Sequence, residues 1–259
     1  MRQKQMVRWL VGVGMLMALV LVAMPVAAQE SGDFTLTVIH TNDTHSHIEQ
    51  FNSSGGSCSE EDAAAGKCFG GVARRATKIE ELRGTVTNPI LVDAGDQFQG
   101  SLYYTQYKGA EAVEFMNMLG YQAMTLGNHE FDDGPANLGK FLDGVSFPVV
   151  SSNIDASAEP AIDGKFVKST VLEVGGDKIG LVGLTTNTTP FSSSPGPTVS
   201  FADYVPSLEP VVAALQEQGV NKIVLLSHIG YEDDQVLAAA IDGIDVIVGG
   251  HSHTLLSNT

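Results

Sequence analysis

From residue 34 onward, short apolar runs alternate with helical spacings, and most runs end in a cluster of polar side chains. No other feature constrains the fold as strongly. Residues 34–40 (FTLTVIH) are rich in β-branched side chains and read as a strand ending in Thr41-Asn42-Asp43-Thr44-His45. Residues 72–82 carry Val72, Ala73, Ala76, Ile79 and Leu82 at helical spacing, with charges between. Residues 89–92 form a short buried strand leading into Asp93-Ala94-Gly95-Asp96. A helix over 110–119 precedes a strand over 121–126 that runs into Gly127-Asn128-His129-Glu130. Residues 135–142 predict a helix with Pro135 in its first turn, and 147–152 a strand. Runs 166–174 and 178–185 flank Gly175-Gly176-Asp177, a hairpin signal. A helix (207–218), a strand (222–227) ending at His228, a helix (234–241) and a strand (244–248) ending in Gly249-Gly250-His251-Ser252-His253 complete the order. The alternation predicts an α/β fold with one antiparallel hairpin. No internal repeat is visible, and the Ser/Thr/Pro-rich stretch 186–197 is too short for a linker between domains.

Ligand sites in α/β sheets lie outside the carboxyl ends of the strands. Five strand ends here carry Asp, His or Asn. All seven histidines (His40, His45, His47, His129, His228, His251 and His253) lie in or beside those clusters. Scattered core or surface histidines would not concentrate so. Asp43-x-His45 and His251-x-His253 each offer two donors at i and i+2. In extended backbone such side chains share a face, so both can reach one metal region. Either pair alone is weak, since a lone Asp-x-His is usually a surface turn. Carboxylate with imidazole suits Zn, Mn, Fe or Co rather than a Ca or Mg cage. Asn128 reads as an uncommon amide ligand, or as a cap or turn residue.

Composition removes other classes. With 30 Asp+Glu against 14 Lys+Arg and a net charge of −16, the chain is no sequence-independent nucleic-acid binder. A 43% hydrophobic content excludes a disordered acidic tail. Two cysteines are no disulfide scaffold. Residues 1–28 join basic Arg2, Lys4 and Arg8 to an apolar run and the small residues Ala27-Ala28, the pattern of a signal peptide. The other reading is a retained anchor helix. Cleavage after Ala28 removes those three positive charges and takes the balance from −16 to −19. Export favours a Cys58–Cys68 bridge closing a small surface loop, against two free thiols.

The ordered set Asp43-x-His45, Gly95-Asp96, Gly127-Asn128-His129-Glu130, His228 and Gly250-His251-x-His253 resembles the calcineurin-like metallophosphoesterase superfamily. The longer strings His40–His45, Gly95–Gly100 and Gly127–Asp132 resemble the 5′-nucleotidase family, of bacterial periplasmic UDP-sugar hydrolase/5′-nucleotidases and animal ecto-5′-nucleotidases. Cys68-Phe69-Gly70-Gly71-Val72-Ala73-Arg74 resembles the ecto-enzymes, which carry a small disulfide loop before this segment. The resemblance implies a four-layer α-β-β-α sandwich over residues 29–259, with the last strands and a C-terminal domain missing after Thr259. It implies two divalent ions, Zn or Mn first, with Co, Fe, Mg or Ca as further options. Asp43, His45, Asp96 and His253 would hold one ion. Asp96, Asn128, His228 and His251 would hold the other. His129 and Asp132 match the family's catalytic dyad, although Asp132 also reads as a helix N-terminal carboxylate. Asn128, His129 and His47 would meet the phosphate ester, His47 alternatively making only a supporting hydrogen bond. Glu130 is expected to support the site, Asp93 to bond nearby backbone, and His40 to be structural.

The implied activity is hydrolysis of nucleoside 5′-monophosphates to nucleoside and phosphate, by an exported protein of the periplasm, cell surface or extracellular space. It needs no nucleic-acid polymer and no membrane span after signal cleavage. Rivals within the family are 2′,3′-cyclic-nucleotide phosphodiesterase, UDP-sugar hydrolase and thiosulfohydrolase. The rival from another class is a non-catalytic metal-binding module.

Overall fold

A computed structural model describes residues 33–257. The expected signal peptide, residues 1–28, lies outside the described residues. Within the compact unit Thr35–Thr259, strands and helices alternate as anticipated.

The first half winds a parallel sheet. Strand β1 (Thr37–Thr41) is followed by α1 (Glu60–Ala64) and α2 (Val72–Thr85), then β2 (Pro89–Asp93). After α3 (Leu102–Tyr107) and α4 (Ala110–Leu119) come β3 (Ala123–Thr125), a 3₁₀ turn (His129–Phe131), α5 (Pro135–Gly144) and β4 (Val149–Val150). The sheet order is β1-β2-β3-β4, all parallel, with Val38 opposite Ile90 and Met124 opposite Val149. Ile90, Leu91 and Val92 are fully buried. That explains why β2 reads as a continuous apolar run, since a parallel strand is covered on both faces.

The second half begins with β5 (Ile154–Asp155) and the predicted hairpin, β6 (Ser169–Val174) and β7 (Asp177–Thr185). It continues through α6 (Thr189–Ser192), β8 (Ser200–Phe201), α7 (Tyr204–Glu217), β9 (Ile223–His228), α8 (Tyr231–Ala240) and β10 (Val246–Gly249). Its sheet runs β10-β9-β7-β6, parallel except for the hairpin, and β5 pairs with β8 in a separate two-stranded ribbon.

Ile79 of α2, Met116 of α4 and Leu138 and Phe141 of α5 pack against Leu91 and Met124 of the first sheet. Leu208, Val212 and Leu215 of α7 and Leu237 of α8 pack against Val182, Leu184, Ile223 and Leu225 of the second. Each side chain so buried contributes about 1.5–3 kcal/mol. Between the layers, Thr185 Oγ1 donates to Leu126 O (2.7 Å) and Ser152 N to Gly183 O (2.7 Å). The backbones come so close at Gly183 that a Cβ there would overlap the Val150 carbonyl. The four-layer α-β-β-α sandwich is therefore formed.

The short elements escaped the sequence reading. Helix α3 has six residues and α6 four, too few to show a period, and β5 and β8 have two each. Helix α7 starts one turn earlier than expected, after Asp203 in an extended conformation.

Candidate metal centre

The loops after β1, β2, β3, β9 and β10 meet at one end of the two sheets. Their side chains form three groups whose donor atoms all lie within 4.8 Å of one another: Asp43, His45 and His253; Asp96, His228 and His251; and His45, Asp96 and His129. The first two groups fall within the two ligand sets that the family resemblance implies, the first without Asp96, and Asp96 with His45 links them.

The local route differs from the expectation. Asp43 and His45 were expected to share a face of extended backbone, as were His251 and His253. Instead Asp43 (φ 48°), His45 (φ 47°), Asp96 (φ 58°), His251 (φ 74°) and His253 (φ 51°) all occupy the left-handed region. Five of the seven expected ligands thus hold backbone that non-glycine residues rarely adopt. Tight turns, rather than strand pleating, aim their side chains. His251 and His253 fall in different groups.

Backbone groups orient the donors. His45 Nδ1 donates to Phe98 O (3.0 Å) and His228 Nδ1 to Ala94 O (2.6 Å), so Nε2 of each ring is left for the centre. Asp43 accepts from His251 N at 3.1 and 3.0 Å, tying the first loop to the last. Asp96 Oδ1 accepts from His129 N (2.9 Å), while Asp96 Oδ2 lies 3.0 Å from His228 Nε2. Gly127 is required where the two loops cross, because a Cβ there would overlap the Asp96 carboxylate.

Glu130 holds this crossing together. Fully buried, it accepts from Gly127 N (2.6 Å), Asp96 N (3.0 Å), Gln97 N (2.7 Å) and Phe98 N (3.2 Å). Burial and then the Asp96 charge raise its pKa well above the ordinary glutamate range. Asp93 does the same for the end of β2. It accepts from Gly95 N (2.9 Å), as expected, and also from Thr41 Oγ1 (2.5 Å) and Gln97 Nε2 (2.8 Å).

His129 Nδ1 contacts Asp132 Oδ2 at 2.7 Å. Asp132 does not cap α5: the capping position is Gly134, without a side-chain bond. Burial opposes charge on His129, but the Asp132 hydrogen bond and the Asp96 charge outweigh it and raise its pKa. For His228, burial likewise opposes charge and Asp96 overrides it, raising its pKa to about 9. For His251, burial and then the His228 charge lower it.

His47 belongs to none of the three groups: Nδ1 donates to Thr44 O (3.2 Å) and the ring packs on Phe51, centroids 4.9 Å apart. His40 also stands outside them, on β1. Cys58 and Cys68 form a disulfide, Cα–Cα 6.0 Å, in the loop that returns to α2. One contact had no sequence signal beyond a polar loop: Ser193 Oγ donates to Asp132 Oδ1 at 2.6 Å.

Two buried atoms decide whether these residues suit a cation. Asn128 Oδ1 is inaccessible to solvent and makes no hydrogen bond, and His228 Nε2, equally inaccessible, faces the carboxylates of Asp96 (3.0 Å) and Asp43 (3.9 Å). Such atoms are costly unless an electrophile meets them. His228 Nε2 borders both Asp43 and Asp96, and the set of carboxylate, imidazole and amide oxygen fits divalent transition metals.

The profile of the calcineurin-like phosphoesterase family matches residues 36–255. The chain is similar to a 5′-nucleotidase of Diplobatis ommata, 48% identical over 226 residues that make up 86% of this chain and 38% of that protein. It is also similar to a human 5′-nucleotidase, 44% identical over 93% of this chain and 41% of the relative. Among solved structures, the 5′-nucleotidase precursor from Thermus thermophilus superposes with a TM-score of 0.80 at 48% identity, over 87% of this chain and 43% of that one. The chain thus spans about two fifths of the length of these relatives.

Proposed function

Because the chain belongs to the calcineurin-like phosphoesterase family, we propose that it is a metal-dependent phosphoric ester hydrolase, exported, which converts nucleoside 5′-monophosphates to nucleoside and phosphate. One observation carries this reading: Asn128 Oδ1 is buried without a hydrogen bond, and His228 Nε2 is buried against the carboxylates of Asp96 and Asp43. Asp43, His45, Asp96 and His253 are assigned to one ion, and Asp96, Asn128, His228 and His251 to a second, Zn or Mn being favoured. When bound, such a pair offsets phosphate charge and makes water nucleophilic near neutral pH.

The remaining work falls to the chain. The carbonyls of Ala94 and Phe98 hold Nδ1 of His228 and His45, which leaves Nε2 of each ring facing inward. Asp132 holds Nδ1 of His129, so Nε2 remains for the substrate. The raised pKa of His129 favours an imidazolium, which can protonate the leaving nucleoside oxygen. Asp132 orients that ring, as the carboxylate does in hydrolytic triads. Asn128 and His129 are the groups assigned to the phosphoryl oxygens. The leader-like residues 1–28 and the Cys58–Cys68 disulfide support export. No helix among the described residues is long and apolar enough to cross a membrane.

Equilibrium dialysis of the purified chain against Zn²⁺ or Mn²⁺ should give two ions per chain, with phosphate released from adenosine 5′-monophosphate. His129→Ala should lower kcat by about 10²–10⁴-fold while keeping both ions. The loss should be smaller on p-nitrophenyl phosphate, whose leaving group departs without a proton. Fewer than two bound ions would overturn the ligand assignment. Two ions without any phosphate release would leave a metal-binding module.

A further inference from the structure

We propose that Ser193 is a positioning residue for this hydrolysis, its hydroxyl locking the Asp132 carboxylate that in turn holds the His129 ring. The inference rests on the reading of His129 as the group that meets the phosphate ester. Asp132 sits between two partners, with Oδ2 on His129 Nδ1 at 2.7 Å and Oδ1 on Ser193 Oγ at 2.6 Å. Ser193 is the one side-chain donor to Oδ1 among the described residues.

The second bond has a physical use. The terminal torsion of an aspartate is broad, so one hydrogen bond leaves the carboxylate free to swing. Bonding both oxygens removes that freedom and fixes the direction from which Nδ1 is held. A hydrogen bond to a charged acceptor is also worth more than a neutral one. The side chain of Asp132 is 15% exposed and that of His129 35%. Water therefore competes for this carboxylate, and a protein donor excludes it from Oδ1.

The segment bearing Ser193 is built to hold it still. Thr189 is fully buried, its hydroxyl donating to Thr186 O at 2.7 Å. Ser193 N donates to Thr189 O at 2.9 Å, which closes α6 on that buried residue. The chemistry is also divided between the two sheets. Asp132 and His129 follow β3 of the first sheet, and Ser193 follows β7 of the second. The hydrogen bond thus registers the second sheet's loop against the dyad carried by the first.

The test compares Ser193→Ala and Ser193→Thr with wild type and His129→Ala in the 259-residue chain loaded with Zn²⁺ or Mn²⁺. Ser193→Ala should lower kcat on adenosine 5′-monophosphate on the order of 10-fold, with KM within about twofold and two ions still bound. Ser193→Thr, which keeps the hydroxyl, should restore kcat. By nuclear magnetic resonance, the His129 Nδ1–H proton should be protected from exchange in wild type and Ser193→Thr and lose that protection in Ser193→Ala. An unchanged kcat, a loss that Ser193→Thr does not restore, or a protected Nδ1–H in Ser193→Ala overturns the assignment. If wild type and His129→Ala hydrolyse nothing alike, the hydrolase reading fails. The Nδ1–H measurement then still decides the Ser193 contact by itself.

Discussion

Asp93→Asn isolates the electrostatic cost of building the turn that carries Asp96. Asp93 is fully buried at the end of β2. Burial outweighs its three hydrogen bonds and pushes its pKa up to about 6, against an ordinary 3.8. A difference of about two units corresponds to about 3 kcal/mol. The folded state holds the proton more tightly than the unfolded chain. The stabilisation is therefore complete below pH 3.8 and is lost as pH rises through about 6. About 2 kcal/mol of it disappears between roughly pH 4.5 and 7.5. Asparagine has the same shape and cannot ionise. It keeps an acceptor for Gly95 N, and the Thr41 hydroxyl can turn to accept from the new amide. Gln97 Nε2 loses its acceptor, because Gln97 Oε1 is already held by Thr44 Oγ1 at 2.7 Å. That costs about 1–3 kcal/mol at every pH. Urea unfolding of the chelator-treated chain, followed by circular dichroism at both ends of this range, measures the sum. The variant should gain about 2 kcal/mol on wild type as pH rises. A separation that stays constant across the range would refute the argument.

Three further outcomes are expected. Gly127→Ala drives a methyl group into the Asp96 carboxylate, so isothermal titration should show metal affinity at least about 10-fold weaker while the far-ultraviolet dichroism is kept. Gly183→Ala forces the two sheets apart at the Val150 carbonyl, and its urea midpoint should fall by an amount equivalent to about 1–3 kcal/mol. Replacing Cys58 and Cys68 by serine opens a loop with a sequence separation of 10 residues. Loop-closure entropy predicts a loss of about 3 kcal/mol, read by chemical unfolding with and without reductant.

The strand-and-helix order was legible because α2, α4, α5 and β2 are long or apolar enough to show their period. The site was legible because its donors follow strands, and strands are easy to end at Gly-Asp, Gly-Asn-His and Gly-His. Three features of the site were not legible. The left-handed backbone at Asp43, His45, Asp96, His251 and His253 is imposed by loop crossings such as that of Asp96 over Gly127, which no local propensity encodes. The Ser193–Asp132 contact joins residues 61 apart in sequence. It depends on how the two sheets face one another, and a serine in a polar loop carries no mark of that. Glu130 was expected to support the site, but its four backbone partners follow only from the turn geometry around it.

The left-handed turns bear on how far this protein can be stabilised. A non-glycine residue held there costs of order 1–3 kcal/mol, and glycine would relieve most of that strain. At Gln99 (φ 69°) such a replacement removes no donor assigned to the centre. At Asp43, His45, Asp96, His251 and His253 the same replacement would delete a donor that faces the centre. Selection for a sturdier fold and selection for an intact centre therefore pull in opposite directions at these five positions. Thermostable variants should accumulate their gains elsewhere, in the helices and at Gln99, with the five turns left strained.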